Sequence, residues 1–131
     1  METSSTATSI LKKGSLLLLA GFYFFAGVNH FLNPDFYLPL IPDYLVFKSE
    51  INVISGVIEM VLAVSVLVPT LRKWAAYAIV AMLIAFIPSH VHFIVIGSCV
   101  TDGLCVPEWV GWARLLVVHP ILIGWAWWHR Y

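Results

Sequence analysis

An all-α integral membrane protein, a four-helix bundle with both termini cytoplasmic, follows from three observations. The first is composition: 61% of the 131 residues are hydrophobic and 11% are charged, against roughly 45–50% and about 25% in soluble domains. The second is length. Apolar residues fall in four runs, at about residues 14–32, 51–68, 74–97 and 109–128, each near the roughly 20 residues that cross a hydrocarbon core of about 30 Å. The third is charge placement. Lys12, Lys13, Arg72, Lys73 and Arg130 fall on one side of that topology and Lys48 alone on the other, and basic residues gather on the cytoplasmic side. The length allows one transmembrane domain, residues 1–131, without internal repeat. Net charge is zero and no basic run occurs, so nothing points to nucleic acid; the partner that composition implies is the lipid bilayer.

Residues 1–9 are polar and rich in Ser and Thr, which reads as a frayed tail. Lys12 and Lys13 then precede an apolar run. No small-x-small cleavage site follows, so the segment reads as a retained span rather than a signal peptide. It stops on Asn29, His30, Asn33 and Pro34. Residues 33–50 hold three prolines among Phe36, Tyr37, Tyr44 and Phe47, a mixture suited to a short structured segment at headgroup level. The second run contains Glu59 and stops at Pro69. The third opens after Arg72 and Lys73 with an alanine-rich half, and Pro88 predicts a kink over residues 84–88. The fourth contains Arg114 and the pair His119-Pro120.

Polar groups inside these spans are the candidate site. At about 1.5 Å per helical residue, Glu59 enters about 12 Å from the outer face, His90 about 10 Å, and His92 and Arg114 about 8 Å. His119 comes near the midplane and His30 near the outer end of its helix. Glu59 and Arg114 are the only formally charged residues in the spans, and an isolated charge there costs several kcal/mol. They are therefore expected to pair, with His30 and His90 or His92 lining the same outer cavity. Two readings stay open: a structural ion pair with hydrogen-bonded histidines, or an outward-opening site for a small molecule, redox group or ion.

Metal is not indicated. No His pair at i, i+4 and no Glu-x-x-His motif occurs, as a di-iron bundle site requires, and nothing selects a haem between His90 or His92 and His119. Cys99 and Cys105 fall in the turn between spans three and four, where a disulfide is favoured if that side is oxidising; two free thiols are the alternative. Gly103 between them gives the chain the freedom to close.

The stretch Ala26-Gly-Val-Asn-His-Phe-Leu-Asn-Pro-Asp35, followed by Ile41-Pro42, Ser55-Gly-Val-Ile-Glu59, Pro69 and Arg72, resembles the DoxX-like family of small four-helix bacterial membrane proteins. The resemblance runs over about residues 16–128. It implies a place in the bacterial inner membrane, as a subunit of a redox system with an oxidoreductase partner and with quinone as the candidate cofactor. It also singles out His30 and Glu59. Pro88 matches a proline of the family, whereas His90 stands where Asn is usual. The alternative is a non-enzymatic assembly or transport component.

Overall fold

The computed structural model describes residues 2–131. Among the described residues seven α-helices follow in order: α1 Glu2–Leu32, α2 Pro34–Tyr37, α3 Lys48–Ser65, α4 Arg72–Ala85, α5 Ile87–Val95, α6 Glu108–Ala113 and α7 His119–Trp128. A 3-10 turn, Leu38–Leu40, follows α2, and a π-helical segment, Arg114–Val118, joins α6 to α7. Among the described residues no strand is present beyond an isolated bridge between Cys99 and Cys105. Among the described residues three helical rods are long and apolar enough to cross a membrane: Ser4–Leu32, Arg72–Val95 and Glu108–Trp128. The 18-residue α3 is not one of them; it carries Lys48, Glu50 and Glu59 over its length of about 27 Å.

The tail expected to fray is helical back to Glu2. Thr8 Oγ1 donates to the carbonyl of Ser4 at 2.9 Å, a bond to the preceding turn that keeps the hydroxyl from competing with the helix. The kink at Pro88 is present. Phe86 leaves the helix between α4 and α5, because a proline two residues on cannot donate to the preceding turn. The wide turn at Arg114–Val118 has the same cause. Pro120 lacks a donor, and the N–H of His119 reaches back five residues to the carbonyl of Arg114.

Helix α1 packs along α3, α3 against α4, and α4 against α7, while α5 meets α6 and the π segment. A buried cluster of Leu16, Leu19, Ala20, Tyr23, Ala63, Val66, Ala75, Ile79, Met82, Leu83 and Ala126 joins α1, α3, α4 and α7. Outside it, large side chains such as Leu17, Phe25, Leu116 and Ile121 are exposed, an apolar perimeter suited to lipid rather than water. Ser15 Oγ lies 3.0 Å from His129 Nε2 and accepts from Trp125 Nε1 at 2.8 Å. The two ends of the chain therefore meet at one end of the molecule, together with Arg72, which donates to the carbonyls of Val66 and Leu67.

Candidate functional site

The site grows from the seam between α1 and α3. A Cβ on Gly27 would stand 2.7 Å from the carbonyl oxygen of Gly56, and one on Gly56 would stand 2.9 Å from that of Gly27. Only hydrogen at both positions lets the backbones approach so closely. One turn beyond this crossing, the ring of His30 is pressed onto α3. His30 Nδ1 lies 2.6 Å from Asn52 Oδ1, and Asn52 Nδ2 donates to the carbonyl of His30 at 3.0 Å. Because Asn52 Oδ1 can only accept, Nδ1 carries the proton. The other ring nitrogen, Nε2, is 3.3 Å from Glu59 Oε2.

All three side chains are buried, with His30 at 7% exposure and Glu59 at 5%. Tyr37 on α2 stacks on the His30 ring, with centroids 3.7 Å apart. Its hydroxyl accepts from Asn29 Nδ2 at 2.8 Å, and Asn33 Nδ2 donates to Asn29 Oδ1 at 2.6 Å. Burial pushes the Tyr37 phenol above its ordinary range; the Asn29 amide works against that, and the Glu59 carboxylate adds to it. The phenol thus stays protonated beside the histidine. Glu59 Oε2 and the buried Tyr23 hydroxyl, within electrostatic reach of each other, have no hydrogen-bond partner among the described residues.

A second polar group forms where the two irregular rods meet. His119 Nε2 donates to the carbonyl of Leu83, at the break before α5. The ring of His90 lies 4.6 Å from that of His119, centroid to centroid. The Arg114 guanidinium sits over Phe93 at 4.8 Å, with its buried Nη1 unpartnered among the described residues.

The six expected site residues therefore separate. His30 and Glu59 are together; His90, His119 and Arg114 gather elsewhere; His92 lies toward Asp43 of the connection after α2. The expected Glu59–Arg114 pair does not form: Glu59 faces His30, and Arg114 faces Phe93. The reason is helix order. The rod carrying Arg114 packs against α4 and α5, not against the Glu59 face of α3, and equal depth does not make neighbours. Nor does either His90 or His92 join His30, because each belongs to the α5 side. Among the described residues no group of three or more His, Cys, Asp and Glu side chains could hold a metal. Cys99 and Cys105 are disulfide-bonded, closing the turn after α5.

Asn52 and Tyr37 were missed as site residues, though the signal for Asn52 was available. Asn52, Gly56, Glu59 and Ala63 recur at alternating four- and three-residue spacing and form the buried face of α3. A family model described as Domain of unknown function (DUF8561) matches residues 19–130. The chain belongs to that family. Neither a curated relative nor a solved structure matches it. The matched stretch includes every residue of the α1–α3 seam and of the His90–His119 group.

Proposed function

We propose that the protein is an integral membrane subunit of a quinone-linked redox system, held in the bacterial inner membrane as a four-helix bundle with both termini cytoplasmic. One observation carries the reading: His30 Nε2 faces Glu59 Oε2 at 3.3 Å in a buried seam. Reduction of a quinone takes up protons, and a buried imidazole beside a carboxylate holds and releases a proton at little cost in net charge. Asn52 fixes the tautomer so that the exchangeable position is Nε2. The unmet hydrogen-bonding capacity of Glu59 Oε2 and the Tyr23 hydroxyl, the latter a donor, suits a ligand oxygen. Electrons come from an oxidoreductase partner subunit. The redox assignment draws on the DoxX-like motifs around these same two residues.

A second reading, a non-enzymatic assembly or transport component, is favoured by one fact. Both ring nitrogens of His30 already face partners on α3, as a purely structural clamp would have them. Quinone extracted from the purified full-length chain separates the two. The redox reading expects quinone near one equivalent, lost in His30→Ala while the protein stays folded. A preparation without quinone, and without any co-purifying oxidoreductase, sinks it and leaves the clamp.

A further inference from the structure

At the end of the molecule opposite the His30 seam, a cleft of about 200 Å³ opens between α1, the start of α4 and the chain after α7. It is lined by Lys12, Lys13, Arg72 and His129, together with Ser9, Leu16 and Tyr131. Among the described residues no Asp or Glu side chain lines it. Five of the seven lysines and arginines lie at this end: Lys12, Lys13, Arg72, Lys73 and Arg130. Five of the seven acids, Asp35, Asp43, Glu50, Asp102 and Glu108, lie toward the other. Glu2 is ten residues before Lys12, about 15 Å along α1. The zero net charge thus hides a strongly polarised molecule.

The cations of the cleft are held in place without anionic partners. Arg72 is fixed by two backbone carbonyls, Lys12 lies 5.9 Å over the Trp128 ring, and no ion pair among the described residues involves Lys12, Lys13 or Arg72. His129, whose ring faces Lys12 and Arg72, is bonded to Ser15 and does not neutralise them. Three cationic side chains brought together from separate parts of the chain form an anion site in search of its anion.

We propose that this cleft binds the headgroup phosphate of an anionic phospholipid in the adjoining leaflet. A lipid fits better than a soluble anion because of what borders the cleft. Leu16 is among its lining residues, and Leu17 and Leu18, next along α1, are exposed, so acyl chains would continue along α1 from a phosphate held by Lys12 and Lys13. Trp74, Trp127 and Trp128 are exposed at the same end, where indoles mark the boundary of the hydrocarbon. A phosphatidylcholine would bring its own ammonium into a basic cleft. A phosphatidylglycerol would bring only negative charge.

Native mass spectrometry of the full chain in detergent tests this, with equimolar phosphatidylglycerol and phosphatidylcholine of matched acyl chains. The bound phosphatidylglycerol is expected to exceed phosphatidylcholine by roughly thirtyfold, the scale of two cations near a headgroup. Lys12→Gln/Lys13→Gln should abolish that preference, while Lys48→Gln at the opposite end should keep it. A thermal midpoint of the double variant in phosphatidylcholine alone confirms that it is folded. Equal retention of the two lipids overturns the proposal. So does a preference that survives in the double variant. Displacement of phosphatidylglycerol by equimolar inorganic phosphate would assign the cleft to a soluble anion and also overturn it.

Discussion

Two buried histidines pin α1, one at each end, and they differ in what surrounds them. His30 meets Asn52 and Glu59 on α3 and lies under the ring of Tyr37. His129, 1% exposed, meets the Ser15 hydroxyl and has Lys12 and Arg72 as its nearest charges. A proton added to His30 would face a carboxylate; one added to His129 would face two cations. The same side chain thus faces an acid at one end and two bases at the other. The difference lies wholly in the acid placed on α3 and the bases placed on α1 and α4.

Breaking the crossing that sets up the His30 end has the largest expected effect. Gly27→Leu drives a side chain into the backbone of Gly56 and the side chain of Met60, an overpacking cost of about 3 kcal/mol. Gly124→Leu is the control, since nothing lies within 4 Å of a Cβ there. Thermal unfolding in detergent should show a large drop for the first and little change for the second. Equal drops would mean that the α1–α3 crossing is not a tight contact.

Next in size is the pair itself. His30→Gln and Glu59→Gln, measured singly and together, should show a coupling of about 1–2 kcal/mol, near the upper end of what interhelical polar contacts reach in membranes. Strict additivity would mean that the 3.3 Å contact carries no energy. A milder loss is expected at the third buried histidine. His119→Phe removes the bond to the Leu83 carbonyl while filling the space, at a cost of about 1 kcal/mol. Unchanged stability there would show that water replaces the imidazole at the break.

How much of this was readable from sequence follows the regularity of the backbone. The α1–α3 seam left a signal that was not read, since Gly27 and His30 on one helix and Asn52, Gly56 and Glu59 on the other repeat at helical spacing. His30 and Glu59 were named as polar groups in apolar spans and from the DoxX-like motifs, not from this seam, and Glu59 was expected to meet Arg114. The partner of Arg114 was not legible. Depth along a span can be counted from the sequence, but azimuth cannot once a proline widens a turn to the π form between Arg114 and His119. Helix order puts His90, on α5, beside His119 rather than His30. The helical start of α1 was lost to composition, since serines and threonines near a terminus read as coil although Thr8 bonds back within the helix.

The smallest effect, and the most direct test of the contrast, is pH dependence at His129. Burial first, and then the charges of Lys12 and Arg72, hold its imidazole below the ordinary histidine value. The folded state therefore prefers the neutral ring, whereas the unfolded chain binds a proton near its reference pKa of about 6.5. The stability this gives is fully present above that value and is lost as pH falls through it toward the lower folded one. Other histidines titrate in the same window, so the informative quantity is the difference between wild type and His129→Asn. Asparagine can still meet the Ser15 hydroxyl but takes up no proton. Between pH 7 and about 5 the thermal midpoint of the wild type should fall more steeply than that of the variant. Parallel curves would show that His129 is not held neutral, and the contrast between the two ends would then rest on Glu59 alone.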